Sequence, residues 1–260
     1  MNRIILSLLL IAIIISSCKK ESVQHINIID KQKIAEITKD GLTATLWSDN
    51  TSLQTGYTKI YISLKDIQSK EIKNASVTYL PVMDMVSMGK KHSSPKENPR
   101  YNDEINLYEG AVVFTMPSSA TDGWQLDVSV NGKPISFPLT IATSSKKSTG
   151  SYLGTDGEKY VVSLIPPAKW QVGLNDLEIF ISKQLSMMEF TAEDGFTIEF
   201  EPEMPSMDHG SPNNTNPISI GNGHYKGKVN YTMTGDWRLH FKLKKNNEVI
   251  VDDAYVDVLF

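Results

Sequence analysis

One pattern occurs twice along this chain. The first copy sets Pro81, Met83, Met88, His92, Pro95, Tyr108, Gly110, Met116 and Trp124 in order. The second sets Pro202, Met204, Met207, His209, Pro212, Tyr225, Gly227, Met233 and Trp237. The offset is 121 residues at the leading prolines, 117 at Pro95/Pro212, Tyr108/Tyr225 and Met116/Met233, and 113 at the tryptophans, so the copies differ by short loop deletions. A period of about 115 residues in a chain of 260 calls for two homologous domains in tandem.

Within each copy apolar residues alternate with polar ones, as in Leu42, Ala44, Leu46; Ile60, Ile62, Leu64; Leu126, Val128, Val130; Leu177, Ile179, Ile181; and Phe196, Ile198, Phe200. Short alternating runs separated by turns such as Asn131-Gly132 and Lys245-Asn246-Asn247-Glu248 indicate an all-β fold of two antiparallel sandwiches. The expected boundaries are 41–143 for the first domain and 151–260 for the second, with the Ser/Lys/Thr-rich residues 144–150 as linker.

The N-terminus reads differently. Met1-Asn2-Arg3 and the apolar run at residues 4–15 match a signal peptide, the run being too short to span a bilayer. Ser16-Ser17-Cys18 follows and resembles a bacterial lipobox, with Cys18, the sole cysteine, at the position that acylation requires. Residues 1–17 are therefore expected to be removed, Cys18 lipidated, and polar residues 18–40 to act as a tether, though residues 34–37 are apolar enough to begin a short helix or edge strand. Such a chain is anchored on the extracytoplasmic side of a bacterial membrane. Loss of Arg3 with the leader leaves 25 basic against 30 acidic residues, which disfavours nucleic acid as a partner. With one cysteine, an intramolecular disulfide and a cysteine-based zinc site are excluded.

Chemistry concentrates in the loops of the repeat. If the strand at 196–201 and the strand beginning at His224 are antiparallel neighbours, Met204, Met207, His209 and His224 converge at one end of the second sandwich; Met83, Met85, Met88 and His92 take the matching place in the first. Parity assigns Met116 and Met233, with Trp124 and Trp237, to the core. Thioether and imidazole without thiolate or clustered carboxylate suit Cu(I) or Ag(I). The plain alternative is packing, since methionine fills irregular gaps. His25 in the tether and His240 on a strand read as ordinary residues. No nucleophile elbow or comparable catalytic context is present, so an enzyme is not expected.

The segment from Met204 to Pro212, with Gly223-His224-Tyr225-x-Gly227 and Tyr231-Thr-Met233-Thr-Gly235-Asp-Trp237, resembles the YtkA-like and FixH-like family of small extracytoplasmic β domains, over about residues 165–245. The resemblance implies immunoglobulin-like sandwiches and a part in copper handling or in assembly of a copper-dependent membrane complex. The competing class is a metal-free module that binds a protein partner at the cell envelope.

Cys18→Ser is expected to abolish acylation and shift the chain from the membrane to the soluble or unprocessed fraction. Retention of the variant on carbonate-washed membranes would refute the anchor.

Overall fold

The computed structural model describes residues 30–260; the leader, Cys18, His25 and most of the tether lie outside the described residues. The first domain contains β1 (Gln32–Lys39), β2 (Leu42–Ser48), β3 (Leu53–Gln54), β4 (Gly56–Lys65), β5 (Val77–Met85), β6 (Lys90–Ser93), β7 (Lys96–Asn102), β8 (Leu107–Phe114), β9 (Gly123–Val130), β10 (Lys133–Leu139) and β11 (Ile141–Ala142). The second contains β12 (Thr149–Leu153), β13 (Lys159–Ile165), β14 (Gly173–Gln184), β15 (Phe190–Ala192), β16 (Thr197–Met204), β17 (His209–Gly210), β18 (Thr215–Gly221), β19 (His224–Tyr231), β20 (Asp236–Lys245) and β21 (Glu248–Leu259). Among the described residues there is no α-helix.

Sheet order repeats strand for strand. In the first domain β1-β2-β4-β8-β7 faces β10-β9-β5-β6, with a short parallel pair β11-β3; in the second β12-β13-β14-β19-β18 faces β21-β20-β16-β17, with β15 added to β14. The chain is thus two tandem immunoglobulin-like sandwiches.

Alternation explains which side of each strand is dry. β9 buries Trp124, Leu126, Val128 and Val130, and β16 buries Ile198, Phe200, Pro202 and Met204 while Thr197, Glu199 and Glu201 face solvent. The two inner faces close a separate core in each domain, around Leu46, Ile62, Phe114 and Trp124 in one and Ile179, Tyr231, Trp237 and Phe241 in the other. Two-residue hairpins join several strands, with positive φ at both central residues of Asp40-Gly41, Asn131-Gly132, Asn222-Gly223 and Asn246-Asn247. This is the turn geometry whose twist matches that of the flanking strands.

The repeated Tyr-x-Gly proves to be structural. The Tyr108 hydroxyl accepts the Ala75 N–H at 2.7 Å, and the Tyr225 hydroxyl accepts the Phe196 N–H at 3.1 Å, so each phenol ties its strand to the opposite sheet. Two residues on, a Cβ at Gly110 would lie 2.7 Å from the Glu97 carbonyl oxygen, and one at Gly227 2.4 Å from that of Thr215. The crowding comes from bulges in the edge strands β7 and β18, where an Asn-Pro pair is inserted. Asn98 and Asn216 use the bulge to accept the backbone N–H of Tyr79 (2.9 Å) and Phe200 (3.0 Å) across the sandwich.

Two boundaries move. β1 occupies residues expected in the tether and pairs with β2 along its length, because Ile34, Ala35 and Ile37 pack on the first core. The linker is also not slack: the Ser144 N–H donates to Thr55 Oγ1 (3.0 Å), Ser148 Oγ to the Thr55 carbonyl (3.1 Å), and the Asp257 N–H to the Lys147 carbonyl (2.7 Å), binding it to both domains.

Gly110→Ala and Gly227→Ala are each expected to cost about 1–3 kcal/mol, since the methyl meets backbone that cannot swing away. Gly123→Ala, where a Cβ meets nothing within 4 Å, serves as control and should be near neutral. Urea denaturation of the three variants checks the ranking.

Candidate functional site

In each domain three adjacent strands set three side chains in a row. Met83 on β5 faces His92 on β6 to one side and Trp124 on β9 to the other. Met204 on β16 faces His209 on β17, and its neighbour Glu203 faces Arg238 on β20, which sets Trp237 beside it. Both central methionines are buried, at 2% exposure. Over them the flanking rings meet edge to face, His92 on Trp124 at 5.5 Å between centroids and His209 on Trp237 at 5.9 Å.

A fourth residue is drawn in by the indole. Trp124 Nε1–H donates to the Met116 carbonyl at 2.9 Å, and Trp237 Nε1–H to the Met233 carbonyl at 3.0 Å. These methionines lie just beyond the ends of β8 and β19, and both are 37% exposed rather than in the core where strand parity put them. The strands stop at Phe114 and Tyr231, so alternation no longer governs the two residues that follow. Trp124 and Trp237 are buried as expected.

In the first domain the contact is explicit, with His92 Nε2 lying 3.1 Å from Met116 Sδ. His92 Nδ1 is 2.8 Å from the Ser93 carbonyl, which can only accept, so Nδ1 carries the hydrogen and in the neutral ring Nε2 presents a lone pair to the thioether. His209 Nδ1 is held likewise by the Gly210 carbonyl at 2.9 Å. A lone pair facing sulfur could accept a soft ion between the two atoms. Among the described residues no group of three or more His, Cys, Asp and Glu is placed to hold a metal.

The loop tips lie at the same end. The Ser87 N–H and hydroxyl donate to Asp122 at 3.0 and 2.8 Å, and Ser206 Oγ donates to Asp236 at 2.5 Å. Each bond pins the tip that carries Met88 or Met207 to the turn preceding the tryptophan, and holds the Asp122 or Asp236 carboxyl below its ordinary pKa. Met83, Met85, Met88 and His92 therefore share one end of the first sandwich, and Met204, Met207 and His209 one end of the second.

His224 does not join them. β16 and β19 lie in opposite sheets rather than side by side, because β18 carries the intervening chain back along β19. His224 opens β19 and Tyr231, which packs on Trp237, closes it; seven steps at about 3.3 Å place His224 roughly 23 Å from the methionine end.

What surrounds His224 is the junction between domains. Its Nε2 is 2.9 Å from Glu97 Oε1 of the first domain and its Nδ1 2.9 Å from Glu178 Oε1 of the second. A carboxylate oxygen only accepts, so both ring nitrogens donate and the ring is an imidazolium. The Glu97 hydrogen bond, opposed by burial and reinforced by Glu178, raises the His224 pKa. Burial pushes Glu97 up, but hydrogen bonds from His224 and Tyr57 outweigh it and leave its pKa lowered. Tyr57 and Phe180 wall the ring, and with Val113, Val161, Ile165 and Phe190 they form a small apolar cluster shared by the two domains.

Residues 158–242 match the YtkA-like family. The match covers the second sandwich from β13 into β20 and takes in Met204, Met207, His209, Met233 and Trp237. No curated protein matches the chain in sequence. Among solved structures, the Escherichia coli adhesin FdeC aligns at 14% identity over 87% of this chain and 66% of its own, with a TM-score of 0.31. InvD of Yersinia pseudotuberculosis aligns at 15% identity over 84% and 57%, with a TM-score of 0.29, and titin Ig tandem domains A164-A165 at 8% over 80% and 90%, with a TM-score of 0.19. The chain spans less than two thirds of the FdeC and InvD chains.

A histidine whose pKa is raised on folding contributes stability that is complete below its unfolded value, near 6.5, and is lost as pH rises through the folded value. The melting-temperature gap between wild type and His224→Gln should accordingly be wide at about pH 6 and narrow toward about pH 9. A gap that widens with pH would show that His224 is not charged in the folded protein.

Proposed function

We propose that this chain is a lipid-anchored extracytoplasmic protein that binds a soft monovalent metal ion, Cu(I) by choice, at one end of each sandwich. The observation that carries the reading is the 3.1 Å approach of His92 Nε2 to Met116 Sδ with Nδ1 committed to a carbonyl. His209, Met204, Met233 and Trp237 repeat the same frame in the second domain. Thioether sulfur favours Cu(I) over harder divalent ions, and a site without thiolate or carboxylate ligands gives the ion up more readily than a thiolate cage. Such a protein suits capture and transfer of copper at a membrane surface, as a chaperone, buffer or assembly factor. The YtkA-like match and the lipobox at Cys18 support the envelope setting.

The ligand set differs from that drawn from sequence. His92 with Met116, and His209 with Met233, are the donors; Met83 and Met204 lie beneath them against the tryptophans, Met88 and Met207 flank them on the loop tips, Met85 belongs to the core, and His224 belongs to the junction.

Competition titration with a Cu(I) chelator should therefore show two ions per chain. His92→Gln and Met116→Leu are expected to weaken one of them by about tenfold or more, His209→Gln and Met233→Leu the other, and His224→Gln neither. Undiminished Cu(I) affinity in a His92→Gln/His209→Gln double variant would remove the metal reading and favour the protein-binding module.

A further inference from the structure

The hairpin between β14 and β15 belongs to the second domain yet reaches the first. Its turn is closed by the Leu185 N–H on the Glu189 carbonyl (2.9 Å) and by the Met188 N–H on Ser186 Oγ (3.2 Å). The two central residues are Met187 and Met188. Tight turns are ordinarily built from Gly, Pro, Asn, Asp and Ser, which supply unusual φ or local hydrogen bonds, and a methionine pair offers neither. Both are well exposed, at 50% and 41%, so the turn does not bury them as core either.

The place where this turn lands gives the pair a use. The Ser93 N–H donates to the Met187 carbonyl at 2.8 Å, and that nitrogen is bonded to the carbonyl carbon of His92. The Met187 carbonyl is thus fixed within one peptide unit of the His92 main chain, and the His92 ring presents Nε2 to Met116 Sδ. Among the described residues no hairpin of the first domain makes the corresponding bond to β17 beside His209. Two donors only 3.1 Å apart lie on one side of any ion between them and leave its other side open, and a soft ion takes further thioethers in preference to water.

Resting on the reading of His92 and Met116 as ligands, we propose that the first-domain site is completed from the second domain, with one thioether of the Met187-Met188 turn as the third ligand. The second-domain site has no such contribution. Metal at His92 then joins the two domains as the third point of a junction that already holds the His224 ion pair and the Phe180 cluster, and the two ions differ in affinity, the first being tighter.

The test uses the full chain in detergent micelles with [13C]methyl-labelled methionine and silver(I) alone as a redox-inert probe. Single Met→Leu variants assign the methyl signals. The expected result is that Met116 and one of Met187 or Met188 shift together with the first equivalent of silver, and Met233 shifts with the second. Met187→Leu/Met188→Leu, which keeps apolar volume and removes sulfur, should weaken the first site by about tenfold or more and leave the second unchanged. Shifts of Met116 with Met187 and Met188 unmoved, and no change in the double variant, overturn the completion from the hairpin while the His92–Met116 pair stands. No shift at Met116 or Met233 overturns the metal reading itself, and this inference with it.

Discussion

A buried tryptophan brings a single hydrogen-bond donor into the core, and an unmade bond there costs roughly 1–3 kcal/mol. In both domains the donor is satisfied by the carbonyl of the methionine that follows the β8 or β19 strand. That bond decides where the chain goes after leaving the sheet, and so brings a thioether to the rim beside the histidine. The indole also supplies the surface against which His92 and His209 stand on edge. The site end depends on this bond, since ring packing, thioether position and turn geometry all refer back to it.

Much of the architecture could be read from residues. Two-residue periodicity located the strands that bury Ile60, Leu126, Ile179 and Phe200, and the Asn-Gly and Asn-Asn pairs marked hairpins whose left-handed φ values the structure shows. The repeat carried the tandem arrangement and its Tyr, Gly and Trp positions. What failed was inference about which strands are neighbours. Loop residues 202–223 look like one excursion, but β18 within them pairs with β19, so the excursion crosses the sandwich and ends far from where it began. Treating β16 and β19 as adjacent brought His224 to His209, and carrying parity past the end of β19 put Met233 in the core when it lies at the rim. The bulge asparagines Asn98 and Asn216 were legible in principle, being Asn-Pro pairs 118 residues apart, but bulges interrupt the alternation by which strands are recognised.

The copies are alike in topology and unlike in what has been done with their surfaces. His224 has no counterpart in the first domain, where Leu107 opens the equivalent strand β8 and is buried. Its charge is spent on Glu97 across the junction, so one domain holds the other by an ion pair walled by aromatic rings, where low polarity strengthens the attraction and raises the cost of losing either partner. The β14–β15 hairpin adds a second grip at β6. The two frames are thus similar, and parts of the second are turned toward the first.

The sheet edges have a consequence for life at high surface density. β7 and β18 carry Pro99 and Pro217 within their bulges, and the edge strand β10 carries Pro134 and Pro138. Each proline removes an amide hydrogen and each bulge breaks the ladder spacing, so these rims cannot template a strand from a neighbouring molecule. Lipid anchoring would confine many copies to a thin layer, the setting in which β-rich proteins most readily zip edge to edge into aggregates. Interrupting these three rims removes three of the edges along which such a layer could zip together.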